Sequence, residues 1–176
     1  MKVILIIPYY GRFPSIFDLW LKSCANNPEI NWLLVTDIDT PDLPSNVTKL
    51  HISFYELKRS FANKLQMGIS LESPYKLCDY RPLYGFLFSE YLEDADFWGY
   101  CDMDVIWGKI LDFLPHELFD TYDKILDLGH LSFVRNNKVI NENFKKYSNY
   151  KTILRSPLNY TYDEAEGGTI LDLMEN

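Results

Sequence analysis

The chain has 176 residues, of which 47% are hydrophobic and 16% aromatic, enough to bury one sizeable core within the size range of a single domain. Seventeen Lys and Arg against 25 Asp and Glu give a formal charge of -8, with the two signs interspersed. This excludes the basic footprint that a nucleic-acid backbone requires. The N-terminal apolar run, residues 3–7, stops at Pro8 and is too short for a signal-peptide core or a membrane span. The expected location is therefore cytoplasmic, at most peripheral to the inner face of the membrane, with no transmembrane segment. Cys24, Cys78 and Cys101 are odd in number and widely spaced, which implies neither a disulfide framework nor a zinc site.

Residues 2–7 predict a short buried strand, and Pro8-Tyr9-Tyr10-Gly11-Arg12-Phe13-Pro14 a rigid aromatic loop after it. Ser15 is a candidate helix cap with Asp18 three residues on. Phe17, Trp20, Leu21 and Cys24 then share one helical face, and Asn26-Asn27-Pro28 ends the helix. Residues 32–36 and 47–52 predict the second and third strands. Ser53 and Glu56 predict a capping box for a helix to about residue 65, with Phe54, Leu57 and Phe61 inward. Because Pro82 cannot sit inside an α-helix, residues 75–81 are expected to turn and a helix to run from Pro82 to about residue 92.

A central strand over 97–101 then delivers Asp102-Met103-Asp104. Beyond it the pattern predicts two helical pieces over 111–122, short strands over 124–128 and 131–134, and a helix over 137–147, with no assignment from residue 150 onward. Strands alternating with helices indicate an α/β fold with a mainly parallel sheet flanked by helices.

Asp102 and Asp104 carry the strongest chemical signal. Side chains at i and i+2 of an extended segment project to the same side, and two close carboxylates raise one another's pKa unless a cation offsets them. Oxygen ligands suit Mn²⁺ or Mg²⁺, which complete their shells with substrate phosphate. Asp-x-Asp is also a common tripeptide of solvated turns, and the preceding apolar strand favours the metal.

Upstream, Tyr75-Lys76-Leu77-Cys78-Asp79-Tyr80-Arg81-Pro82 gathers two cations and a carboxylate. Lys76 and Arg81 could neutralise a diphosphate and Asp79 could accept from sugar hydroxyls, or the stretch could be a solvated turn with local ion pairs. Pro8, Tyr9 and Tyr10 could line a nucleotide pocket or cover a core edge. Asp37 could meet a ribose or base edge or simply form a turn. His130 could reach phosphate or metal or be structural. Asp163 and Glu164 could supply a base for an acceptor hydroxyl or be surface charge.

Several stretches together resemble a bacterial family related to GT-A-type glycosyltransferases of polysaccharide biosynthesis: Ile6-Ile7-Pro8-Tyr9-Tyr10-Gly11, Leu21-Lys22-Ser23-Cys24, Thr36-Asp37, the run from Tyr75 to Gly85, the run from Phe97 to Gly108, Gly129-His130-Leu131 and Arg135-Asn136. The resemblance implies one GT-A-like, Rossmann-type domain over residues 1–176, shortened at its C-terminus, that binds a nucleoside diphosphate sugar, UDP-sugars favoured. It implies Asp102 and Asp104 at the diphosphate through Mn²⁺ or Mg²⁺, Lys76 and Asp79 at the donor sugar, and a glycan or lipid-linked acceptor. Tyr162-Asp163-Glu164 resemble a late acidic motif of that family.

Two alternatives stand beside a sugar transferase. A Mg²⁺-dependent phosphohydrolase of the haloacid-dehalogenase type also uses Asp-x-Asp at a strand end, but on the first strand rather than past mid-chain. A non-catalytic nucleotide-sugar-binding module would keep the donor pocket without the acceptor half, in line with a shortened C-terminus.

Overall fold

A computed structural model describes residues 1–127, 129–147 and 149–164. Four strands, β1 (Val3–Pro8), β2 (Ile30–Thr36), β3 (Val47–His51) and β4 (Phe97–Cys101), run parallel to one another. Two more, β5 (Lys124–Ile125) and β6 (Leu131–Arg135), pair antiparallel. Together they form a six-stranded mixed sheet in the order β3-β2-β1-β4-β6-β5. The helices α1 (Phe17–Ala25), α2 (Phe54–Leu65), α3 (Tyr84–Leu87), α4 (His116–Thr121), α5 (Lys138–Asn141) and α6 (Asn149–Arg155) flank it. The fold class is α/β.

Period-2 alternation sorts the sheet side chains into two cores. Ile4 and Ile6 of β1, Leu33 and Val35 of β2, and Trp98 and Tyr100 of β4 pack with Leu57 and Phe61 of α2 and with Ile153 and Leu154 of α6. Val3, Leu5 and Ile7 pack with Trp32, Leu34 and Phe97 on the opposite face, under Phe17, Trp20 and Leu21 of α1 and Phe119 of α4. Burial on both faces explains why these strands read as continuous apolar runs.

The Ser53–Glu56 capping box forms as expected: the Glu56 N–H donates to Ser53 Oγ at 3.3 Å and the Ser53 N–H to Glu56 Oε2 at 3.0 Å. Phe54 is partly buried against the first core, beside the buried Leu57 and Phe61. Ser15 does not cap α1; the residue before that helix is Ile16, without a side-chain cap bond.

The expected helix from Pro82 to residue 92 is corrected. A 3₁₀ helix spans Pro74–Leu83 with Pro82 inside it, followed by α3 and a short 3₁₀ turn, Ser89–Tyr91. Proline's fixed φ suits a 3₁₀ turn, and the bond its nitrogen forgoes is a single rung. The strand expected over 124–128 stops at Ile125, where Leu126 takes a left-handed φ of 63° that breaks an extended run. Leu128, at the end of that expected strand, lies outside the described residues. The expected helix over 137–147 divides into α5 and a 3₁₀ turn, Asn143–Lys146. No helix among the described residues is long and apolar enough to cross a membrane.

Gly99 lets β4 and β6 approach, because a Cβ there would strike the Ser132 carbonyl oxygen and Leu5. Backbone cannot yield as a flexible side chain can. Gly99→Ala is expected to lower stability by about 1–3 kcal/mol, read as a lower urea midpoint at unchanged slope.

Candidate functional site

The parallel strands put the ends of β1, β2 and β4 on one edge of the sheet. The chain proceeds from β1 to β2 on one side and returns to place β4 on the other, so the connections after β1 and β4 diverge. A cleft of about 550 Å³ opens at that edge, lined by Pro8, Tyr9 and Tyr10 after β1 and by Asp102, Met103 and Asp104 after β4. Leu77, Cys78 and Arg81 of the 3₁₀ helix, Tyr84 of α3, and Thr161, Asp163 and Glu164 complete much of its wall. In open α/β sheets such a divergence at the carboxyl ends is where ligands bind.

The alternation of β4 persists one step past the strand. The Asp102 N–H donates to the His130 carbonyl at 3.0 Å, adding a rung to the β4–β6 ladder. Met103 packs into the second core while Asp104 is exposed. Both aspartates thus reach the cleft from opposite sides of a buried methionine.

Asp102 is held at both oxygens. Arg81 Nη2 donates to Oδ1 at 2.5 Å, and His130 Nδ1 lies 2.8 Å from Oδ2. The other arm of Arg81 donates from Nη1 to Asp163 Oδ2 at 2.8 Å and to the Gly129 carbonyl at 2.9 Å, and the guanidinium lies over the Tyr100 ring, 5.2 Å from its centroid. One cation therefore joins the segment after β4, the turn before β6 and residue 163. Gly129 leaves room for the Glu164 and Asp163 side chains, which a Cβ there would press on.

Burial pushes the Asp163 carboxyl above the usual carboxylate range, and the shared Arg81 only partly opposes it. Burial likewise pushes the Cys78 thiol up to about 11. Asp104, by contrast, has no hydrogen-bond or ion-pair partner among the described residues.

Tyr9 is half-buried, donates to the Arg12 carbonyl at 3.3 Å and stacks on Phe13 at 5.6 Å. Tyr10 is buried edge-on against Phe54, its hydroxyl without a partner among the described residues; burial raises its phenol pKa, and Asp37 and Glu56 add to the rise. Asp37 itself is exposed past β2 and is not among the residues lining the cleft.

The expectation that Lys76 and Asp79 face a ligand is corrected. They are 2% and 0% exposed and pair with each other at 2.7 Å, because backbone groups of residues 153–162 come down on them from far along the chain. Arg81, between these two roles, does reach the cleft. Arg135, within the resembling Arg135-Asn136 pair, pairs with Asp123 at 2.7 Å, donates to the Phe119 carbonyl and covers Phe97. The Arg81–Asp163 link was absent from the sequence reading, since 82 residues separate the partners and no local spacing marks them.

A hard divalent cation would find only a partial shell here. Among the described residues no three His, Cys, Asp or Glu side chains converge on one point. Asp102 and Asp104 would supply an oxygen set of two, leaving the remaining positions to water and phosphate as Mg²⁺ and Mn²⁺ favour.

The hydrogen bond from His130 to Asp102 raises the imidazole pKa above its ordinary range, and the charge of Asp102 adds to this. A raised folded value means that the pairing stabilises fully at pH below the ordinary imidazole range and fades as pH rises through the folded value. His130 is exposed, so salt should weaken the effect. An NMR titration should place His130 above the free imidazole, and Asp102→Asn should return it to the ordinary range; an unmoved value would break the pairing.

Residues 5–175 match a protein family described as a family of unknown function, DUF6625. No curated protein and no solved structure matches the chain. With nearly its whole length inside that match, the chain belongs to the DUF6625 family.

Proposed function

We propose that this protein is a metal-dependent glycosyltransferase that takes a nucleoside diphosphate sugar, with UDP-sugars favoured, and transfers the sugar to a hydroxyl of a glycan or lipid-linked acceptor. The reading takes the sheet as Rossmann-like and of GT-A type, working at the cytoplasmic side in surface polysaccharide synthesis. The observation that carries it is the position of Asp102 and Asp104 at the end of β4, in a cleft at the point where the connections diverge.

Each side chain then has a distinct task. Asp104, exposed and unpaired among the described residues, is the more available oxygen ligand. Asp102 is presented in one orientation by Arg81 and His130, which lowers the cost of ordering it when ligand arrives. A bound Mn²⁺ or Mg²⁺ would act as a Lewis acid that offsets the charge developing on the departing diphosphate. Arg81, with one arm on Asp102 and the other on Asp163, sets these carboxylates around the ligand, and Tyr9 offers a half-buried ring to a base. The acidic wall of Asp163 and Glu164 stands where an acceptor hydroxyl could give up its proton.

One observation favours a second reading. Asp163 turns its Oδ2 to Arg81 rather than offering that oxygen to an acceptor hydroxyl, which suits a non-catalytic nucleotide-sugar-binding module. Release of free UDP on addition of UDP-sugar and acceptor would separate a transferase from such a module.

Calorimetric titration with UDP and with GDP, each in Mn²⁺ and in EDTA, tests the shared part. The expected result is binding that requires the metal and prefers one base. Asp104→Asn should weaken it by roughly tenfold or more, equivalent to about 1.4 kcal/mol. Equal affinity in EDTA, or an unaltered Asp104→Asn variant in Mn²⁺, would remove the metal role.

A further inference from the structure

Lys76 and Asp79 form a charged pair inside the protein, and among the described residues the other hydrogen bonds of their side chains converge on one stretch, residues 153–162. Lys76 Nζ donates to the Ile153 carbonyl at 3.0 Å and to the Leu158 carbonyl, and lies 5.3 Å from the Tyr160 ring centroid. Asp79 accepts the N–H of Tyr160 at both oxygens, at 3.1 and 3.0 Å, and the N–H of Tyr162 at 2.9 Å. Between those two anchored amides, Thr161 holds a left-handed φ of 47°, a conformation that a branched residue adopts only when its surroundings enforce it.

The same stretch turns its other side to the cleft, where Thr161, Asp163 and Glu164 form part of the lining. A buried ion pair is a poor source of stability compared with apolar packing of the same volume, but its hydrogen bonds have direction. Here the direction is specific: the ammonium takes the carbonyls of Ile153 and Leu158 and the carboxylate takes the N–H groups of Tyr160 and Tyr162, which sets residues 158–162 in one register.

We propose that Lys76 and Asp79 are positioning residues that pin residues 158–164 from beneath, so that Thr161, Asp163 and Glu164 form one wall of the ligand cleft. The effect on ligand rests on the cleft being the nucleotide site proposed above; the pinning does not. The pair acts through the segment, without itself touching the ligand. Arg81, two residues beyond Asp79, ties the end of the segment to Asp102, so the wall and the aspartate are set by the same 3₁₀ helix.

The test compares wild type with Asp79→Asn, which keeps the shape of the side chain and removes its charge. It also includes the double variant Lys76→Met with Asp79→Asn, which leaves no uncompensated charge inside should the single variant fold poorly. Three readouts are taken: amide exchange by mass spectrometry on the ligand-free protein, the pH profile of Cys78 alkylation located by peptide, and UDP affinity in Mn²⁺.

The expected result is exchange about tenfold faster or more over residues 156–164 with β4 unchanged, and a Cys78 midpoint that falls from about 11 in both variants, the double variant, in which the lost Lys76 charge offsets that of Asp79, reporting the relief of burial. UDP affinity should fall about tenfold. Unchanged exchange and an unchanged Cys78 profile would overturn the pinning, as would faster exchange spread equally through β4. Faster exchange with unaltered UDP affinity would overturn the role in the ligand wall. Wild-type protein that takes no UDP would defeat the nucleotide reading and the ligand-wall claim together, with exchange and Cys78 alone then deciding the pinning.

Discussion

The arrangement of the cleft turns on the ion pairs of Arg81, which join three of the segments around it. Its guanidinium is mostly buried and meets Asp102 on one arm and Asp163 on the other, with Gly129 also on the second. A lysine could not take its place, because an ammonium has no rigid fork to span two carboxylates and a carbonyl at once. Removing a partner from such a cluster leaves charge without compensation in a poorly solvated site, a loss on the order of 3–5 kcal/mol where burial is complete. The exposure of Asp102 moderates that figure at its end. Arg81 thus joins three chain segments at the cleft before any ligand enters.

The sheet makes that junction possible. Parallel pairing from β3 through β4 brings the loops after β1 and β4 to a common edge, while β6, antiparallel to β4, returns His130 and Gly129 to the same edge from the opposite direction. Gly99 permits β6 to lie close enough for the Asp102–His130 rung. Gly85 does the equivalent for α3 on the first-core face, where a Cβ would collide with the Trp98 indole, whose N–H donates to Asn141 Oδ1 at 2.8 Å. Two residues without side chains therefore decide how closely β4 is enclosed.

What could be read from the sequence divides along physical lines. Strands β1 to β4, the α2 capping box and the place of Asp102 and Asp104 after β4 were legible because each rests on local periodicity or a contact within a few residues. The 3₁₀ helix was not, since the rule that excludes proline from an α-helix interior says little about a tighter coil of three residues per turn. Lys76 and Asp79 were misread for a different reason. Charged side chains are rarely buried unless paired, and their partners here are carbonyls and N–H groups up to 83 residues away, which no spacing reveals. His130 and Arg81 were singled out for phosphate or metal, whereas their first role in the structure is to hold Asp102.

The electrostatics of the cleft bear directly on the nature of its ligand. Its lining contains four carboxylates, Asp102, Asp104, Asp163 and Glu164, against one guanidinium, Arg81; four negative charges and one positive give -3 when all are ionised. With Arg81 already shared by two of the four, a diphosphate entering alone would meet net repulsion, strengthened by the low polarisability of the surrounding wall. A divalent cation at Asp104 and Asp102 would reverse the local sign beside a carboxylate that has no partner among the described residues. On the proposed reading, then, metal dependence follows from charge as well as from the Asp-x-Asp spacing: a nucleoside diphosphate and this cleft are complementary only through a cation that both share.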